Sequence, residues 1–346
     1  MSIGRRDPDR PASSRYGSNH PGAPKLIADI GGTNARFALL EGDDVNEERV
    51  LRCAQFPTLV AAVEHYLDEI GASAGARRPT QAAMAIAGPI TGDHIRMTNH
   101  VWAFSAAATR RELKLASLIF LNDFTALAMA IRHLPSSELQ QIGGGRAVPG
   151  AAIALLGPGT GLGVSGLVPA GEQWIALQGE GGHVTLAVMS EREMAVFAQL
   201  RQRFSHVSAE RVLSGPGLVN LYDALCALEG VRPDVLEPPE ITARALAGTC
   251  RLSMEAVSMF CALLGTMAAN LVLTLGAVGG LYIGGGIVPQ LGKFFAKSSF
   301  RDRFEDKGRY ADYLADVPIY VIHTELPAFI GLTRAFIDPG PRWEAE

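Results

Sequence analysis

The chain has 346 residues, 48% hydrophobic and 19% charged, with a net charge of -4. That length suggests about two domains, and that composition supplies a sizeable core and excludes general disorder. The charge balance gives no sign of a nucleic-acid binder. Cys53, Cys226, Cys250 and Cys261 are too scattered for a disulfide framework or a zinc site.

Residues 1–24 are rich in Arg, Pro, Ser, Gly and Asp and contain no apolar stretch, so they read as a flexible tail rather than a secretory signal. Leu26–Ile30 and Arg36–Leu40 read as strands joined by the Gly31–Asn34 turn, and Leu51–Gln55 as a third strand. Thr58–Ile70 carries Leu59, Val63, Tyr66, Leu67 and Ile70 at helical spacing. Gln81–Ala87 reads as a buried strand ending at Gly88–Pro89, and Ser105 as the cap of a helix running to Leu115. Leu118–Leu121 is a short apolar strand with Asn122–Asp123 at its end, followed by a helix from Phe124 to Ile131.

Leu134 to Gly150 is polar and Gly-rich and reads as a linker or hinge. The pattern then restarts with an apolar run to Leu156, a second glycine turn, and a hairpin of Val164–Val168 and Gln173–Leu177. Ser190–Glu193 is a capping-box pattern opening a helix to Phe204. Gly217–Leu228, Thr242–Gly248 and Ser253–Val278 read as helices, Gly280–Ile283 and Val317–Ile322 as strands, and Pro327–Phe336 as a final helix. Ala256–Val278 is long enough to cross a bilayer. It contains Ser258, Thr266, Asn270 and Thr274 and is not directly flanked by an aromatic belt or basic cluster. A helix buried in an α/β core is the better reading.

Each half thus opens with strand, glycine turn, strand, which implies two α/β domains of related design with a cleft between them. Gly31-Gly32-Thr33-Asn34 and Gly159-Thr160-Gly161 both offer bare backbone N–H groups and a threonine hydroxyl, the equipment for holding phosphate. Asp29 adds a carboxylate at the end of the first strand, where a metal ion could be held. Neither a P-loop nor the protein-kinase motifs occur. Gly161-Leu162-Gly163-Val164-Ser165-Gly166 matches G-x-G-x-x-G, with Glu180 at a suitable distance. The dinucleotide reading needs a helix at the last glycine, whereas Val164–Val168 continues as a β-like run. Asn122–Asp123, after a buried strand and before a helix, is either an N-cap or a general base on the cleft. Glu180 and His183 flank flexible glycines and suit a polar ligand, while Glu210 alone reads as solvated surface. No histidine pair has metal-ligand spacing.

Taken together these residues resemble the bacterial glucokinase family, in the hexokinase–actin superfamily of two-domain ATP-dependent sugar kinases. The resemblance rests on Ala28–Arg36, Met97–Phe104, Leu121–Ala126, Gly159–Gly163, Gly179–His183, Glu210–Tyr222 and Gly284–Pro289, in order, between about Lys25 and Phe336. It implies an actin/hexokinase-like, ribonuclease H-like fold, with residues 25–133 and 324–346 as a small domain and 134–323 as a large one. It implies phosphorylation of glucose at the 6-hydroxyl by ATP–Mg²⁺ in the cytoplasm, by a homodimer that binds neither nucleic acid nor membrane.

By the same resemblance Asp123 is the base, and Asn122, Glu180, His183 and Glu210 bind the other sugar hydroxyls. Gly31, Gly32, Thr33, Asn34, Gly159, Thr160 and Gly161 hold the phosphates, Gly284, Gly285 and Gly286 back the adenosine, and Asp29 assists Mg²⁺ through water. Ala28 departs from the family's usual glycine. A kinase for fructose or mannose, or a non-catalytic sugar sensor, is the alternative. The absence of a zinc-cluster motif or an N-terminal helix-turn-helix argues against the related repressor branch.

Overall fold

The computed structural model describes residues 23–98, 100–324 and 326–337, and the backbone of Trp343–Glu344. The tail expected over residues 1–24 lies outside the described residues as far as Gly22. From the N-terminus come β1 (Lys25–Ile30), β2 (Asn34–Glu41), β3 (Asp44–Arg52), β4 (Gln81–Ile86), a small ribbon of β5 (His94–Arg96) and β6 (Ala103–Ser105), and β7 (Ser117–Asn122). Next are β8 (Leu139–Ile142), β9 (Ile153–Pro158), β10 (Leu162–Ala170), β11 (Gln173–Ala176), β12 (Leu281–Ile283), β13 (Ile319–Ile322) and β14 (Trp343–Glu344). They build two six-stranded sheets, ordered β14-β7-β4-β1-β2-β3 and β11-β10-β9-β12-β13-β8.

The two sheets repeat one design. In each, a central strand (β1 or β9) opens an antiparallel meander on one side, β2–β3 or β10–β11. On its other side it runs parallel to two later strands, β4–β7 or β12–β13. A short antiparallel strand, β14 or β8, closes the far edge. The apolar runs of the parallel strands follow from burial on both faces.

The helices are α1 (Leu59–Glu69), α2 (Ala106–Glu112), α3 (Asp123–Ala130), α4 (Glu191–Arg203), α5 (Gly215–Leu228), α6 (Pro238–Leu246) and α7 (Arg251–Leu275). Four short helices follow, α8 (Ile287–Leu291), α9 (Lys293–Lys297), α10 (Phe300–Glu305) and α11 (Ala311–Ala315), and α12 (Pro327–Ala335) is last. Their starts obey local chemistry. Thr58, Ser105 and Ser214 each accept an N–H of the first turn of α1, α2 and α5, and Ser190 with Glu193 forms the expected capping box of α4.

Among the described residues three apolar cores result. One packs the outer face of the first sheet under α1 and α2, around Phe37, Tyr66 and Phe120. A larger one packs the second sheet under α4–α7 and α10. The third lies between the sheets and contains Ile27, Ala83 and Leu121 from one, Leu155 and Leu167 from the other, and residues of α3 and α12. Here the helices cross over. α3 leaves the first sheet and, besides packing on α12, lies more on β9–β11 than on its own strands, whereas α12 leaves the second and packs on β1 and β4. The helices meet so closely that a Cβ on Gly331 would overlap the carbonyl oxygen of Ala126.

The long helix α7 is apolar enough to cross a membrane, but 78% of its most apolar stretch is buried inside the protein, as expected of a core helix. Three expectations need correction. The third strand is Asp44–Arg52, and Cys53–Gln55 is a 3-10 turn. Its exposed charged face hid it, because only every second residue turns inward. The linker of residues 134–150 contains β8, whose Gln140 and Gln141 are exposed at the sheet edge. The helix expected from Thr242 begins at Pro238, since proline is well placed in a first turn.

Candidate active site

The strand register brings the first set of predicted residues to one edge. Ile30 pairs with Ile86, and Ile86 with Asn122, so the Gly31–Asn34 turn and Asn122–Asp123 stand at the C-terminal ends of parallel strands. That is where open α/β sheets bind ligands. The turn is held by Gly31 N–H donating to Asn34 O at 3.0 Å and Cys53 N–H donating to Thr33 O at 2.9 Å. Thr33 is exposed at the tip of the turn.

Asn122 is both strand end and helix cap. Its Oδ1 accepts the N–H groups of Phe124 and Thr125 at 2.9 and 3.2 Å, while Nδ2 donates to Gly88 O at 3.2 Å. The sequence left N-cap and functional roles open at Asn122–Asp123. The structure gives the cap to Asn122 and frees most of the carboxylate of Asp123. Asp123 opens α3 and accepts the Phe124 N–H through Oδ1 at 2.9 Å. Burial, followed by the negative charge of Asp29, pushes its carboxyl up from 3.8 to about 7; the Phe124 N–H opposes this and Glu180 adds to it. The carboxylates of Asp29, Asp123 and Glu180 therefore face one region. Burial also raises Asp29, against the pull of Arg36, whose Nη1 lies 3.3 Å from Asp29 Oδ2.

The second sheet supplies the facing wall. Its Pro158–Leu162 turn carries Gly159, Thr160 and Gly161, closed by Gly159 N–H donating to Gly161 O at 2.8 Å. Gly284–Gly286 lie against it at the end of β12, with Gly284 N–H donating to Leu156 O at 2.9 Å. Gly285 has φ +77, and a Cβ there would run into Pro158 O. Gly215 N–H donates to Gly159 O at 2.8 Å, which adds the start of α5 to this wall, an element sequence reasoning did not include.

Glu180, His183 and Glu210 converge. His183 Nε2 is 3.9 Å from Glu180 Oε2 and its Nδ1 is 4.0 Å from Glu210 Oε1. Glu210 reaches this position because its N–H donates to Gly182 O at 2.9 Å and its Oε2 accepts Leu162 N–H at 2.9 Å. It is thus tied to the end of the glycine turn rather than being solvated surface. The G-x-G-x-x-G match lies within β10, a strand from Leu162 to Ala170, so no helix opens at Gly166. Among the described residues no three His, Cys, Asp or Glu side chains gather as a metal cage. Two residues in this geometry had no assigned role in the sequence: Arg36, which braces Asp29, and Phe124, which packs on β9 and β10.

The family model named Glucokinase matches residues 26–338. The chain belongs to the glucokinase family. It is 53% identical over 314 residues to a glucokinase of Aromatoleum aromaticum, covering 90% of this chain and 94% of that one. It is likewise 53% identical to a glucokinase of Chromobacterium violaceum, covering 91% and 90%. A solved glucokinase from an Antarctic psychrotroph superposes with a TM-score of 0.79 at 35% identity, over 90% of this chain and 98% of that one. As a member of the glucokinase family the protein is an ATP-dependent hexose kinase with the two-domain actin-like kinase fold.

Proposed function

We propose that this enzyme transfers the γ-phosphoryl group of ATP to the 6-hydroxyl of glucose, with Asp123 as general base. The observation that carries the assignment of the base is the placement of Asp123. It is a carboxylate poised near neutrality, at the N-terminus of α3, between two glycine turns and beside the Glu180–His183–Glu210 cluster. Asn122, Glu180, His183 and Glu210 orient the sugar hydroxyls, and each unmatched polar group disfavours another epimer by about 1–3 kcal/mol. Asp123 takes the 6-hydroxyl proton as that oxygen attacks phosphorus, and ADP leaves. Gly31, Gly32, Thr33 and Asn34 from one side and Gly159, Thr160 and Gly161 from the other stabilise the phosphates through N–H and hydroxyl donors. Gly284, Gly285 and Gly286 give the adenosine a flat backing.

Mg²⁺, bound with the nucleotide, would neutralise charge on the phosphates. Asp29, one of the three carboxylates that face this region, fits a cation held mostly by water and phosphate oxygens. We read residues 25–133 with 324–346 as one closing lobe and 134–323 as the other. The placement of α12 on β1 and β4, and the pairing of β14 with β7, support that division. A homodimer working in the cytoplasm remains the family expectation, and sedimentation at assay concentrations tests the dimer.

The experiment is a coupled assay of ADP release with ATP–Mg²⁺ and glucose, fructose or mannose. Turnover fastest with glucose is expected. Faster turnover of fructose or mannose would displace glucose as the substrate, and unchanged turnover in Asp123→Asn would overturn the assignment of the base.

A further inference from the structure

Phe124 follows the base in sequence and joins the two walls of the cleft. Its N–H donates to Asn122 Oδ1 and Asp123 Oδ1, both at 2.9 Å, so the backbone here orients the carboxylate. Its ring leaves the first sheet and lies on Gly157 and Gly163, which are direct cross-strand partners in the β9–β10 hairpin. A Cβ at Gly163 would overlap the ring carbons Cγ, Cδ2 and Cε2, and one at Gly157 would lie 2.7 Å from its Cζ. Only a glycine pair lets the ring rest on bare backbone. Those two glycines bracket the turn that carries Gly159, Thr160 and Gly161.

We propose that Phe124 is a positioning residue that registers Asp123 against the Gly159–Gly161 turn. The base and the phosphoryl group it serves are then fixed to one another through a contact neither makes itself. This inference rests on the reading of Asp123 as the base. In-line transfer needs the attacking oxygen within near-attack range of phosphorus, and a displacement of about 1 Å can cost roughly 100-fold in rate. A phenyl ring suits the task. It is stiff, it does not titrate, and it offers no group to compete for sugar hydroxyls.

The test is steady-state kinetics on Phe124→Leu, Phe124→Ala, Gly163→Ala and the double variant Phe124→Ala/Gly163→Ala. Phe124→Ala should lower kcat by about 10–100-fold. The KM for glucose should stay within about threefold, because Asn122, Glu180, His183 and Glu210 keep their own supports, and Phe124→Leu should fall between. Gly163→Ala pushes a methyl group into the ring and should also lower kcat. In the double variant that methyl group occupies space the ring has left, so the double should be no slower than Phe124→Ala alone.

Phe37→Leu, a cut in the buried Phe37–Tyr66 stack, serves as a control for lost packing and should lower the melting temperature without touching kcat. An unchanged kcat in Phe124→Ala overturns the proposal. So do multiplicative losses in the double variant, or a loss of kcat in Phe37→Leu as large as that in Phe124→Ala at an equal drop in melting temperature. Asp123→Asn run in parallel separates the two readings. If it turns over normally, the base assignment fails and this inference with it. If it is inactive while Phe124→Ala is normal, this inference alone fails.

Discussion

Replacing Asp123 by Asn should slow the enzyme and stabilise its fold, and the stabilisation should depend on pH. The amide keeps an oxygen for the Phe124 N–H but cannot take a proton, so kcat should fall by roughly 100- to 10,000-fold. The stability effect follows from the carboxyl being pushed up from 3.8 to about 7, first by burial and then by the charge of Asp29. Between those values the native state holds a proton that the unfolded chain has released. Wild-type stability therefore declines as pH rises through this window and levels off above about 7. From pH 5.5 to 8 the decline amounts to about 2 kcal/mol at most, and water in the open cleft reduces it toward about 1 kcal/mol. Melting curves should show the Asn variant ahead of wild type by a margin that widens by roughly 2–4 °C between pH 5.5 and 8. A margin equal at both pH values would refute the argument that burial raises this carboxyl. A loss in kcat smaller than tenfold would refute its role as base.

The wild-type rate should fall on the acid side of about pH 7, where Asp123 becomes protonated. Asp29→Asn should move that acid limb to lower pH, because it removes the charge that ranks second in raising Asp123; a pH–rate profile on the residual activity shows it. Glu210→Ala should raise the KM for glucose about tenfold or more, since it removes the proposed sugar ligand and leaves the Leu162 N–H without its acceptor, and steady-state kinetics measure it. Gly331→Val should lower stability by about 1–3 kcal/mol by prising α12 from α3 at Ala126, visible as a lower melting temperature.

What the sequence revealed and what it hid follow a physical pattern. Strands buried on both faces, such as Leu26–Ile30 and Gln81–Ile86, announce themselves as apolar runs, and Ser190–Glu193 announces a helix by its own capping chemistry. β8 was hidden because an edge strand with Gln140 and Gln141 facing solvent lacks that pattern. The short helices α8–α11 are too brief for periodicity to register. In the site, Asp29, Asp123 and the glycine turns were legible because each ends or follows a strand. Glu210 was not, because its position depends on Leu162 and Gly182, distant in sequence, and only the resemblance supplied the role proposed for it. The Phe124 contact left only the glycines at 157 and 163, whose pairing in register becomes visible once the hairpin is folded.

The exchange of helices between the sheets has a consequence for how the chain comes apart. Neither half carries its own full cover for the inner face of its sheet: α12 lies over β1 and β4, and α3 over β9–β11. A cut in the polar stretch of residues 143–150 would leave α3 with the N-terminal fragment and α12 with the C-terminal one. Each fragment alone would expose the apolar face the other covers. The two should re-associate without a covalent link, and a gene split at that stretch should yield a working enzyme only when both pieces are made together.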